Sequence, residues 1–320
     1  MNPSGSVKNV PKTIDVVIPV YNDCELVLGC VGALSDLRPS IAILDCTLNI
    51  IFVDDGSKDQ SWNEIMEASK EDWIRGIKLS RNYGKEAAIL AGIRESRAEA
   101  VIPFDVDLQD PPSVILSLIK EWSSGNKMVV ARRTNRKSDT FFKRQSAKFF
   151  YWFYNIIAEN PIPKNVGDFR IIDRSISKNL GHISDSRLFM KEVFAYIGKV
   201  DASVEFTRPK SQRTNEPAQS LEKLLSLAET ALISAGPKLF RKILGVTVII
   251  DVIILVYASF IAAQWVFGDL PFNGFATLVL LNTFYFVTLL SLLSIIGLVS
   301  THALSESKKR PSFFIEARTD

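Results

Sequence analysis

The stretch AVIPFDVDLQDPP, Ala100 to Pro112, passes from an apolar run through three carboxylates to a proline pair. Ala100–Phe104 reads as a strand covered on both faces, because such strands are short continuous apolar runs bounded by turn-forming residues. Pro111-Pro112 opens a helix, since the first helical turn has no use for the N–H that proline lacks. The same alternation recurs outward from here. Ile14–Val20, broken by Asp15, Asn49–Val53, Ile74–Leu79 and Met128–Ala131 read as further strands. Helical patterns occupy Ser61–Ser69 and Lys85–Arg97 between them. Apolar strands alternating with helices predict an α/β fold with a mostly parallel sheet and helices on both faces. Ligands of such sheets bind beyond the carboxyl ends of the strands. The polar clusters YND, DDGS, SRNYGK, DVDLQD and RRTNR each follow a strand, so all five converge on one edge and make a site.

The chain has 320 residues, a formal net charge of +3, 47% hydrophobic and 23% charged residues. That length and apolar content give an ordered core of one large or two small domains. The even charge balance excludes a phosphate-neutralising surface, and with it nucleic acid as a partner. Cys24, Cys30 and Cys46 have no metal-ligand spacing and read as reduced thiols. The start, MNPSGSVKNVPK, has no apolar stretch and is not a signal peptide.

Leu244–Phe267 carries one formal charge, Asp251, and Phe275–Ser300 carries none. Each run is longer than the roughly 20 residues a helix needs to cross a bilayer core, and the alternative is a pair of buried core helices. Only GDLPFNG separates them, so they read as a transmembrane hairpin. Lys238, Arg241 and Lys242 precede it and Lys308, Lys309 and Arg310 follow, which places both termini on the cytoplasmic side of a plasma or inner membrane. Asp251 within the first span fits a role in helix pairing. The expected organisation is a catalytic domain over residues 1–230, a juxtamembrane segment and hairpin over 231–303, and a cytoplasmic tail over 304–320. Residues 138–159, SDTFFKRQSAKFFYWFYNIIAE, mix aromatic and basic side chains, as in a helix lying in the membrane interface or a core helix with a solvated basic face.

In DVDLQD, side chains alternate along an extended chain, so Asp105 and Asp107 face one way and Gln109 continues that side if the extension persists. Oxygen donors of this kind suit Mg²⁺ or Mn²⁺ shared with a substrate diphosphate. In Asp54-Asp55-Gly56-Ser57 a carboxylate can accept hydrogen bonds from a base or ribose, while Ser57 or Asp59 caps the next helix. Asp168 can orient sugar hydroxyls or an acceptor-binding arginine such as Arg170, or serve as a turn residue paired to Arg170. Lys85 is a diphosphate contact or a helix cap. His182 and His302, the two histidines, are assigned to no metal.

IPVYND, FVDDGSKDQS, LSRNYGKEAAILAGI, IPFDVDLQDPP and VGDFRIIDR together resemble the inverting glycosyltransferases of family 2. More narrowly they resemble the polyprenyl-phosphate glycosyltransferases of the bactoprenol glucosyltransferase kind, with dolichol-phosphate mannose synthases as relatives. The resemblance extends over nearly the whole chain, including the hairpin and the RPSFF segment. It implies a GT-A fold in which Pro19, Tyr21, Asp23 and Asp55 hold the nucleotide and Asp105 lies against ribose and metal. Asp107 and Gln109 then coordinate the ion bridging the diphosphate, and Arg133 and Arg144 grip the acceptor lipid phosphate. Relatives carry a segment like RxxRxxGxSKY before the hairpin; here RPKSQRTNEPAQSLEKL keeps Arg208 and Arg213 but lacks the glycine and the Lys-Tyr pair. Arg208 and Lys210 are its candidates for diphosphate contacts.

The implied activity is inverting transfer of one sugar, glucose from UDP-glucose first, to undecaprenyl phosphate at the cytoplasmic membrane face. Mannose from GDP-mannose, a UDP-aminoarabinose derivative, or a non-catalytic scaffold with the same fold are the alternatives. The nucleotide sugar, the lipid phosphate and the bilayer are the expected partners, together with other copies of the chain in a homo-oligomer.

Overall fold

In the computed structural model the described residues are 11–134, 166–180, 190, 193–194, 200–207, 274–307 and 311–319, with isolated positions between 245 and 260. Eight strands and their helices follow one another along the chain. They are β1 (Lys12–Val20), α1 (Cys24–Ser35), α2 (Arg38–Ala42), β2 (Cys46–Asp54), α3 (Ser61–Ala68), β3 (Ile74–Leu79) and α4 (Lys85–Glu95). Then come β4 (Ala100–Pro103), α5 (Val114–Ser123), β5 (Met128–Arg133), β6 (Val166–Asp173), α6 (Arg174–Leu180), β7 (Ala202–Phe206), α7 (Phe275–Ser307) and β8 (Ile315–Arg318).

The strands form a single sheet in the order β7-β5-β6-β4-β1-β2-β3-β8. β1 runs parallel to both β2 and β4, β2 parallel to β3, and β5 parallel to β7. β6 runs antiparallel between β4 and β5, and β8 closes the opposite edge antiparallel to β3. The continuous apolar strands are buried because both faces are covered. On one face Ile14, Val16, Ile18, Ile50, Phe52 and Ile102 pack with α1, α3 and α5. On the other, Val17, Ile51, Val53 and Val101 pack with α4 and with Leu180 of α6. The alternation of one strand between two cores is the period-2 geometry of a strand made visible. Gly92 of α4 permits close contact there, since a Cβ at that position would lie 2.3 Å from Val17 Cγ1.

The expected polar break in β1 is accommodated internally. Asp15 is buried and accepts hydrogen bonds from Asn49 Nδ2 at 3.2 Å, Ser96 Oγ at 2.7 Å and Arg75 Nη2 at 3.2 Å. A buried carboxylate is tolerated when its lone pairs are used in this way.

The five strands read from the sequence are all present, and the structure adds β6, β7 and β8. Their signals are weak for physical reasons: β6 carries Asp168 and Arg170 in its middle, β7 alternates half-buried and exposed positions, and β8 has four residues. The helices α1 and α2 are further additions; α1 contains two glycines and has little amphipathic character. The segment expected as a tail contributes β8, with Thr319 and Gly76 exchanging hydrogen bonds at 2.6 and 2.9 Å.

The chain divides into two compact units. One comprises Met1–Tyr151, Asn160–Ala218 and Pro311–Asp320, the other Trp152–Glu159 and Gln219–Arg310. Within the second, α7 begins where the second apolar run was expected to begin and continues to Ser307. Leu278, Phe284, Phe286, Leu293 and Ile296 are exposed along it. Among the described residues no helix is long and apolar enough to cross a membrane. The first run, Leu244–Phe267, and the helix expected over 138–159 lie almost wholly and wholly outside the described residues.

Candidate active site

The site is built on the edge where β1, β2, β3, β4 and β5 end. Because β6 runs the other way, its first residues, including Asp168, arrive at that same edge.

The turns after β1 and β2 are locked to each other. Asn22, with a φ of 52°, donates its N–H to Ser57 Oγ at 3.0 Å and accepts the Lys58 N–H through Oδ1 at 2.8 Å. Asp23 precedes α1 and its N–H is held by Ser61 Oγ at 3.2 Å, while Tyr21 stands exposed beside it. Asp59 accepts N–H groups from Cys24 and Ser61 at 3.2 and 3.0 Å. Desolvation would raise its pKa, but the hydrogen bonds from Ser61 and Cys24 prevail and pull it down to about 2. Gln60, rather than Ser57 or Asp59, precedes the first residue of α3. Pro19 is half-buried in β1, opposite Val53.

Asp55 is expected to hold the nucleotide; in the structure its carboxylate is engaged within the protein. It is buried, with Oδ1 accepting the Tyr83 N–H at 2.7 Å and Oδ2 the Gly84 N–H at 2.8 Å. Burial raises its pKa, and the two amides partly offset that. Gly56, at φ +69°, lies so close to the same loop that a Cβ there would be 2.4 Å from the Arg81 carbonyl carbon. Asp55 and Gly56 thus fix the Arg81–Lys85 loop from below. The neighbouring Asp54 is fully buried; its Oδ1 accepts the Ser57 N–H at 3.0 Å, and Oδ2 has no partner among the described residues.

Lys85 is what that loop presents. It is the first residue of α4, behind Gly84 at φ +95°, and its ammonium lies 2.6 Å from Asp105 Oδ1 and 3.8 Å from Asp168 Oδ2. Desolvation works against its charge, but Asp105 and Asp168 outweigh it and its pKa is raised. Lys85 therefore holds its proton throughout the neutral range. Asp168 Oδ1 is buried and has no partner among the described residues. An unpartnered buried carboxylate oxygen costs free energy unless a ligand supplies the donor.

The extended reading of DVDLQD is corrected. The strand ends at Pro103 and the chain turns: Leu108 has a φ of 51°, its N–H reaches Asp105 O at 3.4 Å, and Asp107 Oδ1 accepts the Gln109 N–H at 3.2 Å. A side chain that hydrogen-bonds its own backbone two residues on favours a turn over an extended strand. Asp107 and Gln109 are therefore placed by the turn, not by strand alternation. Asp110 is buried, and Arg133 Nη2, at the end of β5, lies 3.6 Å from its Oδ1.

Arg170 is the second correction. As an acceptor-phosphate ligand it would need to reach the edge, yet it is only 4% exposed. Its Nη2 donates to Gly167 O at 2.8 Å, and its guanidinium stacks 3.9 Å from the Phe194 ring centroid. Burial drives its pKa down to about 10 despite the charges of Asp168 and Glu86, so it remains a cation beneath the site. Arg144, Arg208 and Lys210 lie outside the described residues.

Among the described residues no group of three or more His, Cys, Asp or Glu side chains is gathered tightly enough to hold a metal ion alone. Asp105, Asp107 and Gln109 nonetheless offer hard oxygen donors on one turn, and Asp107 keeps Oδ2 free of the bond to Gln109. Such a donor set fits Mg²⁺ or Mn²⁺ that takes its remaining ligands from substrate phosphates and water. The arrangement brings Lys85, the carboxylates of Asp105, Asp107, Asp110 and Asp168, and Arg133 to one sheet edge, which suits a diphosphate-bearing substrate.

The chain is similar to known proteins over nearly its whole length. The family model described as "Glycosyl transferase family 2" matches residues 15–181. A bactoprenol glucosyl transferase of Shigella phage SfV is 32% identical over 308 residues, covering 95% of this chain and 98% of that protein. An uncharacterized glycosyltransferase of Synechocystis sp. is 32% identical over 304 residues, covering 94% of each. Among solved structures the chain is similar to mannosyl-3-phosphoglycerate synthase from Rubrobacter xylanophilus, with a TM-score of 0.49, 15% identity, and coverage of 72% of this chain and 74% of that one.

Proposed function

The chain belongs to glycosyl transferase family 2, and from that premise we propose that it moves one sugar, glucose from UDP-glucose, onto a polyprenyl phosphate with inversion. The observation that carries this reading is the meeting of Lys85 with Asp105 and Asp168 at the strand-end edge. The activity for which the phage relative is named, bactoprenol glucosyl transfer, supports the choice of acceptor and sugar.

The acceptor phosphate is anionic at neutral pH, so its oxygen attacks the anomeric carbon without a general base. As the new C–O bond forms, the bond from that carbon to the nucleoside diphosphate breaks, and the diphosphate leaves with the electron pair. Its growing charge is the quantity the site has to stabilise. Lys85 is fixed and charged for this task, and Asp105 and Asp168 orient its ammonium. Asp168 Oδ1 accepts a hydrogen bond from a sugar hydroxyl, which sets the anomeric carbon in line. A divalent ion, Mg²⁺ or Mn²⁺, when bound by Asp105, Asp107 and Gln109, supplies further positive charge against the leaving group. Arg133, paired with Asp110 at the rim, and Arg144 receive the lipid phosphate. Tyr21 and Asp23 face the nucleoside.

The acceptor's chain requires a membrane, and the two apolar runs Leu244–Phe267 and Phe275–Ser300 with their basic flanks are assigned to a hairpin that crosses it. Both ends of the chain, and the site, then lie on the cytoplasmic side.

Asp168→Asn tests the assignment of roles. Turnover falls by roughly 100-fold, the scale of losing one fixed transition-state contact, while equilibrium binding of the nucleotide stays close to wild type. Unchanged turnover would remove Asp168 from the chemistry.

A further inference from the structure

The last residues of the chain are bonded to the loop that carries Lys85. β8 pairs with β3 through Ile77 and Arg318, Lys78 and Ala317, and Leu79 and Ile315, with a bulge between Lys78 and Leu79. Just past that bulge, where β3 ends and the loop begins, Ser80 donates its N–H to Phe314 O at 2.9 Å. Ser80 Oγ lies 3.0 Å from the Tyr83 hydroxyl. Phe313 is buried in the core shared with Leu79, Ala87 and Leu90, and Tyr83 packs at its margin. Arg94 of α4 covers the Phe313 ring at 5.0 Å. At its far end the strand is anchored by the Thr319–Gly76 exchange and by the Arg318 fork on Glu95 at 3.1 and 2.9 Å.

The loop is therefore held from two sides. Asp55 grips its Tyr83 and Gly84 amides from below, and the segment after Pro311 grips Ser80 and the Tyr83 ring from the flank. Directly after Gly84 stands Lys85, whose ammonium meets Asp105 and Asp168.

We propose that the C-terminal segment 311–319 is a positioning element for the donor half of the site, with Phe313 and the Phe314 backbone setting the Ser80–Lys85 loop that aims Lys85. The inference rests on the reading of Lys85 as a contact of the leaving diphosphate. It assigns a role in the reaction to residues some 230 positions downstream of the lysine they place. Truncating Phe313 leaves a void beside Tyr83 and frees the loop without touching any group that meets substrate.

Full-length protein in detergent is compared with Phe313→Ala, Phe313→Leu and Arg318→Ala, the last weakening the strand only at its far end. Two readouts are taken: hydrogen exchange over residues 81–86, and KM for the nucleotide sugar and for the lipid phosphate separately. In Phe313→Ala the Tyr83 and Gly84 amides exchange at least about 10-fold faster, as a locally released segment does. The donor KM rises by roughly 10-fold from misplacement of Lys85, and the acceptor KM is unchanged. Phe313→Leu restores both, and Arg318→Ala matches wild type. Tyr83→Phe, which keeps the ring and loses the hydroxyl, raises the donor KM in the same direction without a packing defect. Wild-type protection of the two amides in Phe313→Ala overturns the proposal, whatever the activity. A wild-type protein that transfers no sugar counts against the function proposed above, and the amide exchange still decides this inference.

Discussion

Lys85 is the residue on which the site's electrostatics turn. Its charge is held against desolvation by two carboxylates, at 2.6 and 3.8 Å. With its folded pKa raised above the usual 10.5, whatever stability the lysine contributes is fully present below that value and is lost only as pH rises beyond it. A kcat/KM profile therefore shows no limb from Lys85 across the neutral range. Lys85→Gln lowers kcat/KM by roughly 100-fold through the lost charge on the leaving group, with the loss mainly in the donor terms of a two-substrate analysis. Asp59 gives the opposite sign. Its folded pKa of about 2 lies below the usual 3.8, so its contribution is full above pH 3.8 and disappears as pH falls to about 2. Thermal unfolding of Asp59→Asn against wild type shows a gap at pH 5 that closes by pH 2; a constant gap would contradict the assignment.

Elements, rather than single side chains, set the loop between β3 and α4. Asp55→Ala leaves two amides without acceptors and costs about 1–3 kcal/mol. Gly56→Ala meets the Arg81 backbone and a positive φ at once, and its cost is of the same order. In both variants thermal unfolding moves down, and donor affinity falls with it. Gly92→Ala drives a methyl into Val17 and costs about 1–3 kcal/mol by overpacking, but leaves donor affinity near wild type because it lies in the core away from the edge. These elements were unequally legible in the sequence. The parallel strands announce themselves as unbroken apolar runs, and their polar ends fix the edge where the site lies. Asp105 and Lys85 follow from that directly. Asp168 reaches the site only because β6 is inserted antiparallel between β4 and β5, a pairing no local pattern encodes. Arg170 shares its face but sits two residues deeper, roughly 7 Å along the strand, where it is buried with its guanidinium against the Phe194 ring. The Asp55 carboxylate reads as a ligand group from sequence, because its partners, Tyr83 and Gly84, are backbone amides that carry no sequence signal.

At the scale of the whole molecule the sheet is a GT-A form of the α/β fold, mixed and mostly parallel. Its last strand, β8, comes from the end of the chain, beyond the apolar runs. Full-length chain partitions with the membrane fraction and resists an alkaline carbonate wash if those runs span a bilayer, as proposed; recovery in the wash supernatant would contradict the hairpin. What this edge does, on the reading proposed above, is transfer a sugar to a lipid phosphate. The direct measurement uses purified full-length protein in detergent with undecaprenyl phosphate, Mg²⁺ or Mn²⁺, and radiolabelled UDP- and GDP-sugars, following label into the organic phase. Metal-dependent labelling of the lipid from UDP-glucose is expected, and none in Asp107→Ala. Binding of nucleotide without lipid labelling from any donor would contradict it.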